Sequence, residues 1–99
     1  AEASIHMQQF LWNNTKVAEI KVLTGDDTTN KDNAHIVFET ANSGSTSERL
    51  RIDSRGQIIF NPMTTTQRNN LTAQEGGVIY NSTTHKLQVY NGTDWIDLH

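Results

Sequence analysis

Alternation of apolar and polar residues with a period of two is the feature that most constrains the fold of this chain. It recurs between Lys16 and Leu98, whereas the 3.6-residue period of an amphipathic helix is nearly absent. A period of two is typical of β-strands that cover one face. Clusters of Asp, Asn, Thr, Ser and Gly, which are typical of turns, separate the alternating segments. The sequence therefore predicts an all-β fold.

The alternation predicts two groups of strands. The strands of the first group are Lys16–Leu23, His35–Thr40, Glu48–Asp53 and Gln57–Phe60, with polar loops at Thr24–Asn33 and Ala41–Ser47. The strands of the second group form a three-stranded meander of Gly77–Asn81, Lys86–Tyr90 and Asp94–Leu98. A short turn at Ser54-Arg55-Gly56 closes a hairpin in the first group. In the second group, Asn91-Gly92 matches a type I′ turn.

The segment between the two groups breaks the strand pattern. Pro62 stops pairing, because proline has no amide hydrogen to donate to a neighbouring strand. Thr64 or Thr66 can cap a short helix through Gln67–Leu71. We therefore predict a hinge between two subdomains, residues 8–62, which are rich in β-strands, and residues 63–99, which contain the meander.

The first residues, AEASIHM, have the character of a cloning remnant, because His6-Met7 is the pair that a common cloning site leaves. We therefore exclude residues 1–7 from the predicted fold. The natural sequence would then begin near Gln8, and the chain would be a segment of a longer protein.

Apolar side chains are scarce for a chain of this length. Leu, Ile, Val and Phe account for 22 of the 99 residues, just above the level of roughly 20% below which chains tend to be disordered. The free energy gained by burying so little apolar area offsets only part of the entropy that the backbone loses when it becomes ordered. Small domains with so few apolar residues are usually stabilised by disulfides, by a bound metal or by oligomerisation. The chain has no Cys and no clear metal-ligand cluster, so we expect it to oligomerise.

Charge and hydropathy argue against two classes of partner. The formal net charge is −3, and the Lys and Arg residues are scattered rather than clustered, so we expect no nucleic acid partner. No apolar run approaches the roughly 18 residues of a membrane-spanning helix, so we expect no membrane insertion.

Two stretches resemble modules that recur in the fibres and spikes of tailed bacteriophages. Glu48–Phe60, ERLRIDSRGQIIF, is similar to a hairpin with the pattern ER-R-I-D/S-x-G followed by a short apolar strand. Asn61–His99 closely resembles the terminal module MTT-QR--L----G-VIYN-TT-KL-VYNG--W of such fibres. The chain thus resembles the bacteriophage tail fibre and tail spike family.

This resemblance implies an intertwined parallel homotrimer of β-hairpins. Residues 8–62 would form its trimeric shaft segment, like a triple-stranded β-helix or prism, and residues 63–99 a C-terminal tip module with a small meander and one short helix. It implies a place on the virion and a role in host attachment. No catalytic residue carries over, because the family module has none, and no cofactor is expected. Where family hairpins often continue with a Gly-rich run, this chain has the bulky Ile58, Ile59 and Phe60, which suggest a closely packed layer at the trimer axis. The residues expected in the trimer core are Val17, Ile20, Val22, Ile36, Phe38, Leu50, Ile52, Ile58 and Phe60.

Three aromatic residues of the meander, Tyr80, Tyr90 and Trp95, are candidates for stacking against a sugar of the bacterial surface. The alternative, which we favour, is that they fill the meander and its contacts between chains. The acidic loop at Asp26–Asn33 lacks the ligand spacing of a calcium loop, so we expect it to be solvated and predict no metal site.

Three functions stay open at this point. The first is a trimeric attachment segment that binds a bacterial surface glycan or protein receptor. The second is a monomeric carbohydrate-binding module, and the third is a connector or capsid-surface fibre with no ligand. The molar mass in solution separates the first from the second.

Overall fold

The computed structural model describes residues 3–99, which form antiparallel β-structure and one short helix. The elements in chain order are β1 (Ser4–Trp12), β2 (Thr15–Thr24), β3 (Ala34–Asn42), β4 (Ser45–Ile52), β5 (Ile58–Phe60), α1 (Thr65–Asn69), β6 (Val78–Asn81), β7 (Lys86–Tyr90) and β8 (Trp95–Asp97). The strands and the helix predicted between Lys16 and Leu98 are all present, with ends that differ by a few residues.

The chain divides into two compact units, Ala1–Ile59 and Phe60–His99. The first contains a five-stranded sheet in the order β1-β2-β3-β4-β5, in which each strand pairs with its neighbour along the chain. The second contains α1 and a three-stranded meander in the order β6-β7-β8. The division lies a few residues before the predicted boundary at 62/63. The roles of shaft and tip that the sequence suggests stay predictions.

The first strand departs from the expectation that residues 1–7 take no part in the fold. Ala1 and Glu2 lie outside the described residues, but Ser4 to Met7 belong to β1, which pairs with β2 from Ser4↔Leu23 to Trp12↔Thr15. The edge of β2 offers unpaired amide and carbonyl groups, and a neighbouring segment of any origin can satisfy them in extended form. The pairing therefore says nothing about whether these residues are native.

Two tight turns were not predicted, one before the first predicted strand and one inside the predicted polar loop Ala41–Ser47. Asn13 and Asn14 join β1 to β2 with φ values of 52° and 66°, and Ser43 and Gly44 join β3 to β4 with φ values of 63° and 92°. Two consecutive residues with positive φ between paired strands form the type I′ geometry, which matches the twist of a hairpin. The predicted loop Ala41–Ser47 is therefore mostly strand, and the β3–β4 hairpin continues to Asn42↔Ser45.

The predicted type I′ turn at Asn91-Gly92 is wrong. Tyr90 pairs with Trp95, so the loop contains four residues, and only Gly92 among them has positive φ, at 99°. The Asn91 side chain instead accepts hydrogen bonds from the amides of Thr93 and Asp94, at 2.9 and 2.8 Å. An Asx turn of this kind stabilises the longer loop locally.

The short helix α1 begins with a capping box. Thr64 accepts a hydrogen bond from the Gln67 amide, while the Gln67 side chain accepts one from the Thr64 amide at 2.9 Å. Two amides that would lack partners at a helix N-terminus are thereby satisfied. This cap allows a helix of five residues to form where the isolated sequence would not be stably helical.

Candidate trimerisation surface

One face of the five-stranded sheet is apolar across its three central strands. Residues directly opposite each other in a ladder share a face. The register gives two such rows, Ile20↔Phe38↔Leu50 and Val22↔Ile36↔Ile52. Six of the nine residues expected in the trimer core are therefore brought together on a single face.

Within the chain this apolar face has no cover. Ile20, Ile36 and Ile52 are classed as exposed, and Ile36 keeps 40% of its surface accessible. Phe38 and Leu50 are half-buried. Contiguous exposed apolar patches are rare on soluble monomers and mark interaction sites. The face therefore has the character of an interface.

Of the other three predicted core residues, Ile58 and Phe60 lie in β5 and Val17 lies in β2. Ile58 lies in β5 with 61% of its surface exposed, and Phe60 ends that strand half-buried. Ile59, between them, lines a cleft with His35 and Arg51 on the opposite face of the sheet. Side chains alternate along a strand, so Ile58 lies on the apolar face.

Val17 does not take part in the rows of the apolar face. Phe10 pairs with Ala18 and Leu11 with Lys16, so Val17 is the extra residue of a β-bulge. The sequence placed Val17 in the trimer core with Ile20 and Val22, but it lies an odd number of residues from them, and as a bulged residue it has no paired residue in β1.

The opposite face of the sheet is polar, and it is the better buried of the two. Glu19 keeps only 1% of its surface exposed. Its carboxylate accepts a hydrogen bond from Gln9 Nε2 at 2.8 Å and lies 3.2 Å from Lys21 Nζ and 3.4 Å from Lys16 Nζ. Lys21 Nζ also contacts Glu39 at 3.0 Å. The buried charge is thus surrounded by partners, as a buried carboxylate requires.

Two β-bulges build this polar face. The bulge at Val17 moves Lys16 to the face of Glu19. A second bulge at Arg49, between the pairs Phe38↔Leu50 and Glu39↔Glu48, moves Glu48 to the face of Arg51. In each case an ion pair three residues apart becomes possible, and the Arg51–Glu48 pair measures 2.9 Å. Regular alternation would direct these partners to opposite faces.

Val37 is the one apolar residue that is fully buried in the sheet, with 1% of its surface exposed, and it lies on the polar face. It pairs directly with Lys21 on one side and Arg51 on the other. Long basic side chains cover apolar neighbours with their alkyl stems while keeping the charge in contact with partners. The charged residues therefore supply the cover of this face.

The network shifts the pKa of Glu19 and that of Lys21 in the directions that stabilise their charged forms. Desolvation would raise the pKa of Glu19, but hydrogen bonds from Gln9 and Lys21 and the charges of Lys16 and Lys21 together lower it. The hydrogen bond to Glu39 raises the pKa of Lys21 against an opposing effect of desolvation. The sequence showed Glu19 and Lys21 only as polar residues between apolar ones, so their role was missed.

The meander has the same division into two faces. One face is defined by the rows Ile79↔Gln88↔Asp97 and Tyr90↔Trp95. The other face is defined by the rows Val78↔Val89↔Ile96 and Tyr80↔Leu87. The first face carries the contacts with α1, since Arg68 and Thr65 of that helix both bond to its side chains. The second face is apolar.

Asn81 and Gln88 are the centre of the covered face. Asn81 is fully buried, and its side chain donates to Gln88 Oε1 at 3.2 Å and to Thr65 Oγ1 at 3.0 Å. Its oxygen accepts hydrogen bonds from the amides of Thr83 and Thr84, at 2.9 and 3.3 Å. Every polar atom of the Asn81 side chain is thus bonded, and the network joins α1, β6, β7 and the turn between the two strands.

The three aromatic residues proposed for sugar stacking do not form one patch. The rings of Tyr90 and Trp95 lie 5.2 Å apart between centroids on the covered face, and the guanidinium of Arg68 stands 5.7 Å from the Trp95 ring. Tyr80 lies on the opposite, apolar face. Any ligand would therefore meet Tyr90 and Trp95 without Tyr80.

Clefts occur in the first unit. One has a volume of about 410 Å³ and is lined by His35, Arg51, Asp53 and Arg55 among others. Here the His35 Nδ1 accepts a hydrogen bond from the Ser54 amide at 3.1 Å, and Arg55 pairs with Asp26 at 3.2 Å. Residues 3–99 hold no group of three or more His, Asp or Glu side chains arranged to bind a metal ion. They also include no helix of the length and hydropathy needed to cross a membrane.

The comparisons with known proteins identify the class of this chain. The family model of the phage tail-like trimerisation region matches residues 24–99, which include most of the apolar face and the whole of the meander. No curated protein and no solved structure gives a significant match.

The chain therefore belongs to the phage tail-like trimerisation region family. It is a structural, trimeric component of a phage tail-like assembly, associated with the virion.

Proposed function

We propose that this chain is a non-catalytic segment of a phage tail fibre or spike that assembles as an intertwined parallel homotrimer and serves in host attachment. The observation that carries the proposal is the contrast between the two faces of the five-stranded sheet. The charged face is satisfied within the chain, and the apolar face is exposed. Three copies that turn these faces toward a common axis remove the apolar surface from water.

The energetics favour assembly over a free monomer. Complete burial of a Leu, Ile or Phe side chain contributes about 1.5–3 kcal/mol. The rows Ile20↔Phe38↔Leu50 and Val22↔Ile36↔Ile52 supply six partly exposed side chains per chain. Even half of that gain per residue, multiplied over three chains, is large beside the typical stability of a small domain, about 5–15 kcal/mol.

Host attachment is supported by the position of the Tyr90–Trp95 pair. It lies on the face of the meander that carries polar groups, next to Arg68 and Asp97. Flat aromatic surfaces beside hydrogen-bonding groups suit a sugar ligand. Binding at one such site would be weak, and three copies on one particle would strengthen it through multivalency.

Sedimentation equilibrium tests the assembly. We expect a mass of three times the 11.1 kDa chain at low micromolar concentration. A compact, cooperatively folded monomer would overturn the proposal and favour the stand-alone carbohydrate-binding module instead.

Glycan-array binding tests attachment. We expect the wild-type trimer to bind bacterial surface glycans and Trp95→Ala to lose that binding while it remains trimeric. The matched control is Trp12→Ala, which removes an exposed tryptophan from β1 and should leave binding unchanged. Absence of binding by the wild type would instead favour a connector or capsid-surface fibre with no ligand.

A further inference from the structure

The apolar face of the meander is distinct from the rows of the first sheet, and it too lacks cover. Its members come from all three strands and none of them is charged: they are Val78, Tyr80, Leu87, Val89 and Ile96. Val78 and Ile96 keep 39% and 43% of their surfaces exposed. The helix α1 cannot cover this face, because its contacts go to the opposite one.

We infer that this face is a second, separate contact between the three copies of the chain. The inference rests on the proposed trimer and assigns one part of its interface. In the trimer this face contacts the same faces of two further copies. Tyr80 then lies at the interface, so the proposed sugar-stacking role is confined to Tyr90 and Trp95.

Two observations favour further copies of this chain over another partner. First, the match to the phage tail-like trimerisation region covers the second unit completely, whereas it omits β1 and all of β2 except Thr24. Second, the face carries no charge. A charged patch repeated about a threefold axis would repel its own copies, because they carry the same charge. An uncharged surface can contact its symmetry-related copies without that repulsion.

The alternative of a different protein partner has less support. A surface that recognises a foreign protein usually mixes apolar groups with polar ones that give orientation and specificity. The polar groups of the meander lie on the other face, where Asn81, Gln88 and Asp97 are already bonded to one another or to α1. The apolar face thus suits a contact whose geometry is set by symmetry.

The absence of Cys from the chain allows a direct test by thiol labelling. Ile96→Cys places one thiol on the apolar face, and cysteine is a small apolar residue that should disturb packing little. Thr93→Cys, in the exposed loop before β8, is the matched control. In the native trimer we expect a maleimide to label Ile96→Cys more than about tenfold more slowly than Thr93→Cys, because a buried thiol reacts only through local opening. In denaturant the two rates should be equal.

The outcomes separate this inference from the proposed trimer. If the wild type is trimeric and Ile96→Cys labels as fast as Thr93→Cys, the second contact does not exist, although the trimer stands. If the wild type is monomeric, both fail. A second variant, Val89→Lys, guards against local effects of the thiol. Its added charge at the contact should lower the midpoint of trimer dissociation, whereas Thr93→Lys should leave that midpoint unchanged.

Discussion

The two units of this chain each cover one face of a sheet with polar side chains, but those side chains differ in their chemistry. Each has a sheet with one polar face that the chain itself covers and one apolar face that it leaves exposed. In the first unit the polar face is a network of charges around Glu19 and Lys21. In the second it is largely a network of amides and hydroxyls around Asn81 and Gln88, under the helix α1.

The difference shows that two kinds of polar side chain can cover one face of a thin sheet around a small buried apolar residue, Val37 in the first unit and Ile79 in the second. Charged side chains are long, so they cover the sheet by themselves, as Lys21 and Arg51 do at Val37. Neutral amides are short and need a second element above them, which α1 provides. In both units the hydrogen bonds and ion pairs of the polar face are made within one chain, and residues of the apolar face stay exposed.

The largest effect is expected from a charge on the apolar face of the first unit. Ile36→Asp would place a carboxylate between chains, where an unpaired charge costs several kcal/mol and cannot be compensated. We expect complete loss of the trimer in sedimentation experiments. Thr29→Asp adds the same charge in an exposed loop and should leave the trimer intact. A trimeric Ile36→Asp variant would show that this face does not associate.

A smaller effect is expected at the centre of the polar network in the second unit. Asn81→Ala removes the partner of Thr65, Gln88 and two amides and leaves buried polar groups unsatisfied, at a cost of about 2–4 kcal/mol. Hydrogen exchange should become faster in residues 60–99 and change little in residues 1–59. Asn61→Ala, the same change at an exposed residue, is the control. Equal effects of the two variants would contradict the role of Asn81.

The next smaller effect is expected at low pH, which should destabilise the first unit before the second. Folding lowers the pKa of Glu19 in the first unit, so its stabilisation is present above its ordinary pKa and is lost as the pH falls through the lowered value. The carboxyl groups of Asp27 and Asp53, in the same unit, also have lowered pKa values, owing mainly to hydrogen bonds from Asn30 and Gln57 respectively.

Below about pH 4 we therefore expect protection from hydrogen exchange, corrected for intrinsic rates, to fall first in residues 3–59. Glu19→Gln should weaken this pH dependence, because the amide that replaces the carboxylate does not titrate. Simultaneous loss of protection in both units would contradict the distinction between a charged and a neutral network.

The smallest effect is expected at the exposed ion pair of Asp26 and Arg55. Both side chains are mostly in solvent, with 68% and 72% exposed, and pairs of this kind contribute little to stability. Asp26→Ala should leave the melting temperature within experimental error at pH 7. A clear drop would show that the loop before β3 contributes more to the sheet than its exposure indicates.

The strands were predictable because their signal is local. Period-two alternation located β2 to β8 except for their ends, and one of the two threonines predicted as a helix cap, Thr64, caps α1. The strand β1 was not predictable from the same signal, since its sequence, SIHMQQFLW, alternates poorly and forms a strand by pairing with the edge of β2. The turn at Asn91-Gly92 was mispredicted because an asparagine side chain that bonds its own backbone competes with the type I′ geometry.

The sequence by itself determined the fold class, the shortage of apolar residues and hence the need for association, because periodicity and composition are properties of the chain alone. Only the tertiary structure decided which residues share a face. The bulges at Val17 and Arg49 shift the alternation by one residue, and their positions depend on the register between strands. That register determines the ion pairs of Glu19 with Lys16 and of Glu48 with Arg51. In the meander, the register separates Tyr80 from Tyr90 and Trp95.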